Sequence, residues 1–135
     1  MDLLHIIDKK INIGELVELA HHPEAGALVI FSGEARNLHK SKAVNFLEYE
    51  AQLEMAEKSI ADILERAKKN WPLKVAIAVH RIGRVDISEP AVVVITSAAH
   101  RKEAYEANQF IINEIKENTP IWKKEFFADG EVKWQ

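Results

Sequence analysis

The chain has 135 residues, of which 47% are hydrophobic and 29% charged, and a net charge of −3. That length suits one domain spanning residues 1–135, large enough to bury roughly two-thirds of its unfolded surface. The mild acidity supplies no basic field for nucleic acid, and the absence of cysteine excludes disulfides, thiolate metal ligands and a cysteine nucleophile.

No apolar run approaches the ~20 residues of a membrane span. Asp2 and His5 interrupt the apolar opening, so no signal-peptide pattern is read and a cytoplasmic location is expected. Leu3 to Ile7 reads as a first strand. Asn12 with Glu15 resembles a capping box, opening a helix that His21-His22-Pro23 ends. Gly26 to Gly33 is an apolar run between glycines and is predicted to be a buried strand. Glu34 to Ala43 is polar and reads as a loop. Val44 to Glu50 fits a strand in which Val44, Phe46 and either Leu47 or Glu48 compete for the faces.

Leu53 to Lys69 is the clearest helix. Leu53, Ala56, Ile60, Ile63, Leu64 and Ala67 form one apolar stripe. Glu54-Lys58, Asp62-Arg66 and Glu65-Lys69 are spaced as i,i+4 ion pairs on its wet side. Leu73 to Gly83 reads as one strand with Val75, Ile77 and Val79 on one face, and Ser88-Glu89-Pro90 as a turn. Ala91 to Ala98 is a β-branched strand. His100 to Asn118 is a second long helix with Ala104, Ala107, Ile111 and Ile115 toward the core, stopped by Pro120. Ile121 to Phe127 and Glu131 to Trp134 flank the hairpin turn Asp129-Gly130. The order βαββαββαββ predicts an α+β fold, with helices on a mostly antiparallel sheet.

Candidate chemistry is basic. Lys116 sits at the edge of its helix's apolar face, near Ile112 and Tyr105. That position suits proton transfer or carbonyl chemistry, and a snorkelling lysine at a helix end is the plainer reading. Lys123 and Lys124 are adjacent in a strand, so one can face a site while the other stays wet; a charged edge strand is the competing reading. His100-Arg101 opens the second long helix, where backbone N–H groups favour anions. Arg36 follows Phe31-Ser32-Gly33 at a strand end. His80-Arg81-Ile82-Gly83-Arg84 lies inside a strand pattern and is read as mostly structural.

Arg101 and Lys116 are fifteen residues apart on one helix, or ~22 Å at ~1.5 Å per residue. If both serve one site, the neatest solution is a twofold dimer that supplies His100-Arg101 across its interface. Adjacent His21-His22 share no helix face, so no metal site is predicted. No phosphate loop or dinucleotide motif is present, and no cofactor is expected.

The chain resembles the large, catalytic subunit of molybdopterin synthase. The resemblance is carried by Gly26-Ala27 through Phe31-Ser-Gly-Glu-Ala-Arg36, Leu47-Glu-Tyr-Glu50 and Met55-Ala-Glu57. It continues in His80-Arg-Ile-Gly83, Ser97-Ala-Ala-His100-Arg101, Pro120-Ile-Trp-Lys-Lys-Glu125, Asp129-Gly130 and Trp134. It implies an α/β-hammerhead fold and a homodimer with a small ubiquitin-like sulfur-carrier subunit at each end, a heterotetramer. It further implies sulfur transfer from the carrier's Gly-Gly thiocarboxylate to cyclic pyranopterin monophosphate, forming the dithiolene of molybdopterin. Carried over by position, Lys116 is the expected catalytic lysine and Lys123 holds substrate or thiocarboxylate beside it. Arg36, His100 and Arg101 are expected to bind phosphate and pterin, Glu34, Ala35, Lys124 and Glu125 to line the pocket, and Phe31 and Ile112 to form its apolar wall. The stretch Asn37 to Ala43 lacks a glycine that many relatives carry. Some relatives also continue past Gln135 with a basic tail, for which Arg81, Arg84 or Lys133 are candidate replacements. The alternative function is a non-catalytic module that captures a carrier's C-terminal tail.

Overall fold

The computed structural model describes residues 3–135. The elements run β1 (Ile6–Ile7), α1 (Ile13–Ala20), β2 (Ala27–Glu34), β3 (Leu38–His39), β4 (Lys42–Ala51) and α2 (Leu53–Asn70). They continue with β5 (Leu73–Arg81), β6 (Gly83–Asp86), β7 (Pro90–Ala98), α3 (Arg101–Asn118), β8 (Ile121–Phe127) and β9 (Val132–Trp134). One sheet has the order β1-β5-β7-β2; the other has β3-β4-β8-β9, with β6 also paired to β4. Among the described residues only the β1–β5 pair is parallel. The fold is α+β, as the element pattern predicts.

Strand β7 is the spine of the first sheet. It lies between β5 and β2, and every residue from Pro90 to Ala98 is buried. Its two faces serve two cores. Val92 and Val94 pack with Ile60, Ile63 and Ile111 of α2 and α3, while Val93 and Ile95 pack with Leu16 and Ala20 of α1. Each fully buried Val or Ile contributes about 1.5–3 kcal/mol. Asn108 stitches α3 to the sheet: its Nδ2 donates to Val94 O at 3.0 Å and to Val29 O at 3.2 Å.

Four expectations change. The run Gly26 to Gly33 is an edge strand, half-buried with Ile30 42% exposed, because β2 pairs with β7 alone; the buried strand is β7. Leu73 to Gly83 is two strands, since Gly83 at φ +86° turns the chain out of the first sheet and into the second. The stretch Glu34 to Ala43 ends β2 and then folds as a tight β3–β4 hairpin that turns through Lys40 and Ser41, both at positive φ. On α2, Leu53 is exposed. Of its ion pairs, Lys58 bonds Asp62, Arg66 reaches Glu114 on α3 and Lys68 pairs Glu65.

The face competition in β4 is resolved by a register shift between Val44 and Phe46. It lets Val44 and Leu47 both point inward, where they pack with Val85 and Phe127. Asn12 caps α1 as expected, its Oδ1 accepting the Glu15 N–H at 3.1 Å.

Candidate active site

A cavity of about 530 Å³ opens where the two sheets meet the C-terminal end of α3. Lys116 comes from the last turn of α3, where the negative end of the helix dipole favours a cation. Thr119 closes that helix, its N–H donating to Ile115 O at 3.1 Å, and its hydroxyl lies 2.9 Å from Ser59 Oγ of α2. The helix end that carries Lys116 is thereby fixed.

Strand β8 supplies the facing wall. Pairing sets Tyr49 opposite Lys123 and Leu47 opposite Glu125, so alternate residues of β4 and β8 face the cavity. Glu34 and Arg36 enter from the end of β2, and Ile112 gives an apolar floor. The lining thus holds three cations, Arg36, Lys116 and Lys123, against the carboxylates of Glu34 and Glu125. Neither lysine, nor Arg36, forms an ion pair among the described residues, so all three are free to meet an anionic ligand.

Buried His80 and partly buried Tyr49 tune the wall. His80 holds the Arg81 carbonyl through Nδ1 at 2.8 Å and meets Tyr49 edge-on, ring centroids 4.9 Å apart. Burial pushes its imidazole down to about 4, against the opposite pull of that carbonyl, so it is neutral at pH 7. Burial, followed by the charge of Glu125, pushes the Tyr49 phenol up to about 12, so it keeps its proton. Glu125 is almost wholly buried, and His39 Nδ1 lies 2.8 and 2.9 Å from its two oxygens.

Of the residues singled out in the sequence, Glu34, Arg36, Ile112, Lys116, Lys123 and Glu125 come together. Five do not. Ala35 is turned into the core of the second sheet, bonded to Glu89 and Ser88 through its backbone. Phe31 packs under Gly33 against the first core. Lys124 points to the opposite face of β8, 5.3 Å from the Phe126 ring and 5.2 Å from that of Trp134. His100 and Arg101 are exposed at the far end of α3, ~22 Å from Lys116 along the helix axis. The candidate replacements for a basic tail stand elsewhere too: Arg81 bonds Glu89, Arg84 bonds Asp86 and Lys133 bonds Glu131.

Two cavity residues, His39 and Tyr49, were not singled out in the sequence, and His80, read there as mostly structural, also lines the cavity. The signal for Tyr49 was its two-residue spacing from Leu47. His80 lies at the end of β5, where the strand pattern favoured a structural role and nothing local showed that its ring meets Tyr49 of the second sheet.

A cavity lined by cations from a helix end, a strand and a strand terminus, none ion-paired among the described residues, defines an enzyme pocket for a small anionic substrate on an α+β scaffold. Comparison with known proteins narrows the class: the chain belongs to the MoaE protein family, whose model matches residues 6–118. It is 43% identical over 131 residues to the molybdopterin synthase catalytic subunit of Thermoplasma volcanium, covering 97% of this chain and 96% of that one. The crystal structure of molybdopterin synthase from Staphylococcus aureus superposes with a TM-score of 0.93 at 41% identity, covering 100% of this chain and 98% of that one. A complex of subunits 1 and 2 of molybdopterin-converting factor from Helicobacter pylori shares the fold, with a TM-score of 0.79 at 23% identity over 97% of this chain and 88% of that one.

Proposed function

We propose that this chain is the catalytic subunit of a molybdopterin synthase. It accepts sulfur from the Gly-Gly thiocarboxylate of a small ubiquitin-like carrier and transfers it, in two rounds, to cyclic pyranopterin monophosphate. The observation that carries this reading is the convergence of Lys116 and Lys123 with Arg36 on one cavity, none of them ion-paired among the described residues. The donor is an anion and the acceptor a phosphate ester, so the reactants repel. Two unit charges ~4 Å apart interact by ~4 kcal/mol at an effective dielectric near 20, and fixed cations offset that cost. Lys116 acts in proton transfer or in stabilising a covalent intermediate; Lys123 holds the substrate or the thiocarboxylate beside it. The lack of cysteine fits, because the sulfur arrives on the partner.

The relatives are catalytic subunits, which implies a second subunit, and the complex from Helicobacter pylori is of two subunits. For this chain the reading is a homodimer with one carrier at each end. Exposed His100 and Arg101 then reach the partner protomer's cavity and bind phosphate there. The 1–135 chain acts as one domain in the cytoplasm; no helix among the described residues is long and apolar enough to cross a membrane.

Reconstitution tests the reading. The protein is mixed with thiocarboxylated carrier and cyclic pyranopterin monophosphate, and dithiolene product is assayed beside Lys116→Ala. Product that requires both carrier and Lys116 is expected. Tight carrier binding without product favours the tail-capturing module instead.

A further inference from the structure

Glu125 presents an unusual problem in a pocket built for anions. Its side chain is 3% exposed, and a carboxylate offers about four acceptor positions. Among the described residues, a single donor serves it, His39 Nδ1. The ring nitrogen sits nearly midway between the oxygens, 2.9 Å from Oε2 and 2.8 Å from Oε1, and its N–H direction selects Oε2. Oε1 is buried without a bond of its own. Lys123, two residues away on the same face, does not close on it, nor does the Tyr49 hydroxyl across the strand pair. A buried carboxylate left this short of donors is costly unless something completes it, and this one lines the cavity.

His39 itself borders the cavity and is held there by the β3–β4 hairpin. It belongs to the two-residue strand β3, is tied by register to Lys42, and sets its ring edge-on to Phe127 with centroids 6.5 Å apart. The hairpin that carries it turns through Lys40 and Ser41 at positive φ. The contact spans 86 residues of sequence, so it joins the hairpin to the cavity wall as well as orienting the carboxylate.

We propose that His39 is a positioning residue: by holding one edge of Glu125 it presents the remaining acceptor of that carboxylate to N–H donors on the bound heterocycle. The inference rests on the proposed function, which supplies a pterin, a ring system rich in N–H donors, joined to a phosphate. Such a substrate has two unlike ends. The phosphate is drawn to Arg36 and the lysines and repelled by Glu125; the ring N–H groups are drawn to Glu125. The pair therefore sets which way round the substrate lies.

The test compares wild type, His39→Ala, His39→Gln and Glu125→Gln in the complex with thiocarboxylated carrier. It measures kcat and KM for cyclic pyranopterin monophosphate, and inhibition by inorganic phosphate as a probe that lacks the ring. His39→Ala and Glu125→Gln are expected to raise KM about tenfold with phosphate inhibition changed less than about twofold, and His39→Gln, whose amide N–H can reach the carboxylate, to recover most of the loss. KM unchanged in Glu125→Gln, phosphate inhibition weakened in step with KM, or His39→Gln no better than His39→Ala each overturns the inference. Glu125→Gln keeps the shape of the wall, so the test stands even if His39→Ala unfolds. A wild type that is inhibited by phosphate yet neither binds nor converts the pterin overturns the proposed function, and this inference with it. Normal wild-type turnover with normal variants overturns only the inference.

Discussion

Tyr49 and Lys123 are register partners across β4 and β8, and that pairing decides which of two adjacent lysines enters the cavity. Lys123 shares the face of Tyr49, while Lys124 pairs with Glu48 on the outside and stacks against Phe126 and Trp134. Loss of the Lys123 ammonium removes a charge-assisted contact made in a partly water-excluded site. Lys123→Ala is expected to lower kcat/KM by about a hundredfold or more, equivalent to about 2.7 kcal/mol. Lys124→Ala is expected to stay within about threefold. Steady-state kinetics on the two variants side by side checks the face assignment directly; equal losses contradict it.

Lys116 stands apart from the core it borders. It is exposed, and the apolar neighbours that hold its helix, Ile112 and Ile115, are buried without it. Lys116→Ala is therefore expected to leave thermal stability within about 0.5 kcal/mol of wild type. Carrier affinity should be retained while turnover falls by at least about a thousandfold. Single-turnover assays with preformed complex separate the steps. Lys116→Arg keeps the charge but gives up a group able to release its proton, so recovery of turnover by arginine argues for a purely electrostatic role.

Periodicity in the sequence exposed most of the scaffold because helix and strand faces repeat locally. The stripe from Ala56 to Ala67 and the β-branched run of β7 are both where their patterns put them. The misreadings have non-local causes. Whether Gly26 to Gly33 lies inside or at the edge of a sheet depends on strand order, which no local pattern encodes. Gly83 splits one apparent strand between two sheets, and only its positive φ marks the place. The site followed the same division. Lys116 and Lys123 stand out because a helix end and a strand start announce them. His39 and Glu125 are 86 residues apart, and nothing in either neighbourhood names the other. Ala35 and Lys124 sit beside cavity residues in sequence yet point away from them, by the alternation of an extended chain.

Glu57 holds the first strand in place from the first sheet's helical layer. Its Oε2 accepts the Ile6 N–H at 2.6 Å and the His5 N–H at 2.8 Å, with Oε1 3.0 Å from the same His5 nitrogen. Two backbone donors at the start of a two-residue strand thus depend on one carboxylate. Glu57→Ala is expected to cost about 1–3 kcal/mol in stability, with Glu57→Gln smaller because one acceptor oxygen survives. Chemical denaturation measures both. Glu57 does not line the cavity, so KM for the substrate should hold in either variant.

His80 makes stability depend on pH in a direction that can be fixed in advance. Its imidazole sits at about 4 in the folded chain because burial penalises the charged form, against about 6.5 when unfolded. Between those values the unfolded chain binds the proton and the folded chain does not. Unfolding then takes up a proton, and stability falls as pH is lowered from about 6.5 to about 4. The span is worth about 3 kcal/mol from this one group. Above pH 6.5 His80 contributes no slope. His80→Phe removes the titrating ring while keeping an aromatic partner for Tyr49, so its stability curve should be flatter than wild type between pH 6.5 and 4, whatever its absolute stability. Urea midpoints for both proteins across that range give the comparison, and parallel curves show that His80 is protonated as readily folded as unfolded.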